Sequence, residues 1–293
     1  MYEGDVGLVY AGASAIMLGL YLFAIKRYFS AYPAPVYVSL TYGSSLLWYV
    51  PIAIVSVDGS YLPADDARAG LAVLAFVVAG SAVAVLASFR AIALGDVSYV
   101  APISKLVPVF VVPIEVAVFG QHLTPLQTVG IVVATAAVYV ANYQRGALVE
   151  PLVRAARSRP AQLALLSAAA FGVTDVGKRA LTQELGVPPA SVNLALFVGV
   201  ALALAPLAVR HAPDGVRDDA VKFLALGLLL AVAEHLVILA FATLPASLAS
   251  PVINSSAVFA VVLGGVFLGE DALGLRLGAA ALAIAGVTMI GIG

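Results

Sequence analysis

The chain contains no cysteine, which excludes disulfides, thiolate metal sites and thiol nucleophiles. Charge is scarce too: 11% of its 293 residues are Asp, Glu, Lys or Arg, and the formal net charge is −1. With a pI near 6.3, no basic surface is left for a nucleic acid. The three histidines, His122, His211 and His235, are dispersed, and no HExxH, CxxC or GxSxG pattern or glycine-rich phosphate loop is present. Gly264-Gly265 falls inside an apolar run, where small residues let helices approach. The expectation is a chain that is not an enzyme and carries no metal and no cofactor.

What fills the chain is apolar. Hydrophobic residues make up 62% and the mean hydropathy is +1.06, the signature of a polytopic membrane protein. Ten runs are long enough to span a hydrocarbon core of about 30 Å at about 1.5 Å per residue: 7–25, 35–55, 69–90, 97–119, 125–142, 161–181, 190–209, 221–243, 247–268 and 274–292. Helices satisfy their own backbone polar groups in lipid, and the alternation of a barrel strand is missing, so all ten are read as helices. Glu3 and Asp5 stand where a cleaved signal would carry basic residues, so the first run is expected to be retained as a span.

The stretch 91–120 occurs again at 240–269, shifted by 149 positions. The shift pairs Ala91 with Ala240, Ser98 with Ser247, Pro102 with Pro251, Phe110 with Phe259 and Gly120 with Gly269. Lys26-Arg27 likewise returns as Lys178-Arg179. The predicted organisation is a first unit over 1–144, a basic connection over 145–160 and a second unit over 161–293. Five spans per unit is odd, so the second copy enters the membrane upside down. The fold class is thus an all-α polytopic membrane protein with ten transmembrane helices as two inverted five-helix repeats. Eleven basic residues fall on the side of the odd-numbered connections and three, Arg68, Lys178 and Arg179, on the other. The positive-inside rule places the eleven in the cytoplasm and both termini outside.

The run Gly95-Asp96-Val97-Ser98-Tyr99-Val100-Ala101-Pro102-Ile103-Ser104-Lys105-Leu106, then Pro108-Val109-Phe110 and Gly120 to Thr124, resembles the fourth-helix signature of EamA-type proteins in the drug/metabolite transporter superfamily. Ala249-Ser250-Pro251, Val258-Phe259-Ala260 and Leu268-Gly269-Glu270 resemble it again, and Gly278 to Gly286 resembles the family's last helix. Gln121 departs from the acid usual there, whereas Glu270 keeps it. The resemblance implies a secondary transporter that moves a small metabolite, often outward, through a cavity between repeats. It also implies cytoplasmic termini, against the charge count. The expected partners are a small-molecule substrate and the lipid bilayer, with no nucleic acid and a monomer or homodimer. The alanine- and valine-rich composition points to a prokaryotic plasma membrane, spanned many times. A non-transporting membrane scaffold and a flippase for lipid-linked intermediates are the alternatives.

A charge at a helix centre costs about 2.5 to 3.5 kcal/mol on insertion scales, so each one inside a span asks for a reason. Lys105 lies one turn after Pro102 and is read either as a cavity cation for an anionic substrate group or as a snorkelling anchor. Its repeat counterparts Asn254, Ser255 and Ser256 follow Pro251 and would line the same cavity or pack helices together. Arg90, able to grip a carboxylate, and Trp48, which falls inside a span, are further substrate-binding candidates; an anchor and a packing role are their plainer readings. Glu234 and His235 are candidates for proton coupling. Adjacent residues point about 100° apart, so at most one of them faces the cavity centre. Asp175 and Lys178, three residues apart, read as a structural pair on one helix face, and Pro102 and Pro251 as helix breaks.

Overall fold

The computed structural model describes residues 3–57, 59, 61, 67–94, 103–141, 158–268 and 273–293. Pro102, Glu270 and most of the basic connection lie outside them. The elements are α1 (Glu3–Tyr28), α2 (Ala34–Ser56), α3 (Ala67–Leu94), α4 (Val107–Phe119), α5 (Pro125–Ala141), α6 (Arg159–Arg179) continued by a π-helical turn (Ala180–Glu184), α7 (Pro189–His211), a 3-10 turn (Val216–Asp219), α8 (Ala220–Thr243), α9 (Ala246–Asn254), α10 (Ser256–Leu268) and α11 (Leu273–Ile292). Among the described residues, six stretches are long and apolar enough to cross a bilayer: Val6–Tyr28, Ala34–Ser56, Ala67–Leu94, Pro189–His211, Val216–Thr243 and Ala246–Leu268. Val107–Phe119, Pro125–Val140 and Leu277–Ile292 are shorter apolar helices.

Two expected spans carry breaks, at corresponding places. In the fourth, a turn at Lys105 and Leu106 precedes α4; in the ninth, a turn at Ser255 separates α9 from α10. Prolines flank both: Pro108 stands in the first turn of α4, where its missing amide costs no ladder bond, and Pro251 lies inside α9, where it removes one.

The packing repeats as the sequence does. The first helix of each half lies on the third of the other, α1 on α8 and α6 on α3, while α2 pairs with α7 and α5 with α11. Two close helix crossings correspond as well. A Cβ added at Gly19 of α1 would meet the Phe259 Cβ at 2.5 Å, and one at Gly172 of α6 would meet the Phe110 Cβ at 2.8 Å. Phe110 and Phe259 are the pair matched by the 149-residue shift, and each needs a glycine opposite it for the helices to approach.

One correspondence fails. In the second half α10 packs on α11, whereas α4 and α5 make almost no contact along their lengths among the described residues. Gly120, left-handed at φ 64°, closes α4, and the two helices splay from there. At the connection between α1 and α2, the Tyr32 hydroxyl donates to Asp219 Oδ2 at 2.6 Å, and Lys222 holds Oδ1 at 2.7 Å. The hydrogen bond to that carboxylate raises the Tyr32 pKa above the ordinary tyrosine value.

Candidate functional site

Charged groups converge where α6, α8 and α9 meet. Asp175 and Lys178 are buried on α6, with Lys178 Nζ 3.4 Å from Asp175 Oδ1 and 5.6 Å from the centre of the Phe241 ring. The other Asp175 oxygen accepts from the Ser250 hydroxyl at 2.9 Å. Asn254, one turn on, donates to the Ser250 carbonyl at 2.9 Å and its Oγ at 3.2 Å. A chain of polar contacts therefore runs from the break after α9 to the ammonium of α6.

Glu234 of α8 lies two turns before Phe241, on the helix face that meets the Lys178 ammonium. It has no hydrogen-bond or ion-pair partner among the described residues, and it is half-buried. α8 is packed against α1, α2, α6, α7 and α9, and the face that carries Glu234 also carries buried Phe241, so this exposure is to space within the bundle. Two carboxylates thus oppose one ammonium, and one acid is left uncompensated.

His235 turns the other way, as the 100° step requires. Its Nδ1 shares a hydrogen bond with the Tyr49 hydroxyl at 2.9 Å, and Asn193 Nδ2 donates to the same oxygen at 3.3 Å. Tyr49 and Tyr42 flank Phe197 with centroids at 5.1 and 5.7 Å. Tyr21 packs into the same cluster, so an aromatic wall from α1, α2 and α7 stands beside His235, whose ring centre lies 5.7 Å from that of Tyr49.

A second network lies nearer the end of the bundle. Glu115 of α4 is fully buried, 0% exposed. Its carboxylate accepts from the backbone N–H of Ala246, at 2.6 Å, and of Ser247, the first residues of α9. Pro245 at the cap position supplies no side-chain acceptor, so a glutamate from the other half caps this helix and meets its dipole. Arg179 stands 3.5 Å from Glu115 and 2.9 Å from Glu184, over the Phe119 ring at 4.0 Å. Gln183, in the π-helical turn, donates to the Phe241 and Leu244 carbonyls at the end of α8.

Of the residues singled out from sequence, Asp175, Lys178, Glu234 and Asn254 come together, and His235 adjoins them. Ser255 is buried and bonds the Val252 carbonyl of its own turn at 2.6 Å, and Ser256 and Pro251 are buried beside it. Trp48 is 41% exposed, its Nε1 donating to the Leu224 carbonyl at 3.0 Å across α2 and α8. Arg90 is exposed at the end of α3. Lys105 stands apart from the cluster, with no carboxylate in ion-pair distance among the described residues. No group of three or more histidine or acidic side chains suited to a metal occurs among the described residues.

The sequence profile of the EamA-like transporter family matches residues 5–143 and, a second time, 159–292. The chain belongs to the EamA-like transporter family. EamA proteins are membrane transporters and not enzymes, so the polar cluster is to be read for binding and not for bond-making chemistry. A protein known from a crystal structure shares the fold: the match has a TM-score of 0.78 at 17% identity and covers 97% of this chain and 94% of that one. No curated protein sequence matches the chain. The EamA assignment, with its apolar helices, makes this a multi-pass membrane protein.

Proposed function

We propose that the chain is a secondary transporter that exports a small metabolite across a prokaryotic plasma membrane. Two inverted five-helix repeats, ten spans in all, rock around the cluster of Asp175, Lys178, Glu234 and Asn254. The observation that carries this reading is the Glu234 carboxylate, half-buried in a membrane helix with no hydrogen-bond or ion-pair partner among the described residues. Interior charge is expensive in lipid, and a binding site is the usual reason to keep it. The reciprocal packing of α1 on α8 and α6 on α3 supports the rocking geometry.

Glu234 is assigned to substrate or proton binding, and His235 to the hydrogen-bonded tie between α8, α2 and α7. The Glu115 network joins the two halves at one end, so opening there requires α9 to leave its cap. By the charge count that end faces outward. The test is ligand-induced thermal stabilisation of the purified protein against amino acids, sugar nucleotides, phosphorylated sugars and organic cations, with Glu234→Gln in parallel. A stabilising ligand whose effect is lost in Glu234→Gln supports the site. A stabilising ligand indifferent to that substitution removes Glu234 from it.

A further inference from the structure

The splay between α4 and α5 leaves a lateral groove of about 510 Å³. Leu106, Val109 and Val112 line one wall, and Ile131, Val132 and Tyr139 the other. The hydroxyls of Thr128 and Thr135, which also border it, donate to carbonyls of their own helix, so they present carbon to the groove. Val109 is 55% and Val132 62% exposed; in this protein exposure on that face means exposure to bilayer.

The groove is separate from the polar cluster. Val107, Pro108, Val111 and Glu115 are the buried residues of α4; the groove shares only Pro108 with them and is otherwise bordered on this helix by Val109, Val112 and Pro113. Among the described residues of the second half, the corresponding helices α10 and α11 instead close against each other around Val258, Ala279 and Ala283.

Lys105 sits at one end. α4 and α5 are antiparallel about the short Gly120–Thr124 connection, so depth can be reckoned along each. Leu106 lies about 20 Å along the helix from Phe119, and Tyr139 about 21 Å from Pro125, at 1.5 Å per residue. Lys105 is therefore level with the last described turn of α5, which Arg145 follows closely in the sequence, and so close to the membrane boundary. It is half-buried there without an acidic partner among the described residues. Its repeat counterpart Asn254 is, by contrast, engaged on Ser250.

We infer that this groove binds a phospholipid with an anionic head, one acyl chain lying between α4 and α5 and the phosphate on the Lys105 ammonium. The apolar wall supplies affinity for the chain. The Lys105 cation at headgroup depth, without an acidic partner among the described residues, supplies the selectivity for negative charge. The α4 segment is about 20 Å long, enough to receive a chain through one leaflet of a core about 30 Å thick.

The test is native mass spectrometry of the delipidated full chain titrated with phosphatidylglycerol or phosphatidylcholine of identical acyl chains. One phosphatidylglycerol is expected to be retained, held about five-fold more tightly than phosphatidylcholine. Lys105→Gln brings the two lipids level, and Lys105→Arg preserves the preference. Val132→Trp, which fills the groove from its exposed side, lowers retention of both. Soluble glycerol phosphate does not displace the lipid. Equal retention of the two lipids by the unmodified protein overturns the inference without any variant having to fold. So does a preference that survives Lys105→Gln, a lipid that survives Val132→Trp, or displacement by glycerol phosphate alone.

Discussion

Replacing Glu115 by alanine takes two acceptors from the N-terminus of α9 at once. The amides of Ala246 and Ser247 are left in a buried turn whose cap position is a proline. Each unsatisfied buried donor costs about 1–3 kcal/mol. Arg179 also loses one of its two carboxylates, keeping Glu184 at 2.9 Å and the Phe119 ring. Breaking a buried charge pair from one side costs about 3–5 kcal/mol, and the two estimates describe the same loss, so Glu115→Ala is expected to destabilise by about 4 kcal/mol. At about 2–4 °C per kcal/mol for a domain of 150–250 residues, the melting midpoint in detergent falls by roughly 10 °C. Glu115→Gln keeps one acceptor but loses the charge, and falls between. Midpoints read from intrinsic fluorescence or from a thiol-free scattering assay, with unchanged elution at low temperature, make the comparison. A Glu115→Ala midpoint within about 2 °C of the unmodified protein, below the shift of even 1 kcal/mol, refutes the capping argument.

Gly172→Ala forces Phe110 and the Val107 backbone away from α6 and is expected to cost about 1–3 kcal/mol by overpacking. Gly43→Ala, with open space at its Cβ, is expected to leave the midpoint unchanged or raise it; equal loss in both argues against the crossing. Tyr49→Phe removes the acceptor of Asn193 and the partner of His235 and should lower stability by about 1 kcal/mol per hydrogen bond, checked by the same midpoint. The raised Tyr32 pKa adds stability that is fully present below the ordinary tyrosine value near 10 and is lost as pH rises through the folded value. The midpoint of the unmodified protein should therefore fall more steeply above about pH 10 than that of Tyr32→Phe; parallel slopes contradict the assignment.

The duplication was legible because Phe110 and Phe259 sit at the crossings with α6 and α1, where packing fixes both the bulk and its partner glycine. Asp175 and Lys178 were legible because their pairing is local to one helix. Ser250 on Asp175, and Tyr49 with Asn193 on His235, were not, since each bond joins helices far apart in sequence. Glu115 lies near the end of an apolar run, where an acid is ordinarily interfacial, yet it is buried. Its signal was the capless Pro245 at the start of α9, which needs an acceptor from elsewhere. Trp48 read as a possible cavity residue because it falls mid-span, but position along a helix says nothing of which face it occupies. The breaks at Leu106 and Ser255 follow from the prolines only in part: Pro51 and Pro206 lie within α2 and α7 without ending them.

The absence of cysteine allows the central claim to be tested directly. Glu234→Cys and Asn254→Cys each introduce a single thiol into the polar cluster. A membrane-impermeant thiol reagent is applied to right-side-out and to inverted vesicles, and labelling is quantified against the unfolded protein. The account predicts labelling at both positions, from at least one side, and faster or slower labelling when a stabilising ligand is present. Folded protein that resists the reagent at both positions from both sides, while the unfolded chain labels fully, would mean that the cluster is sealed inside the bundle and is not a site on a transport path.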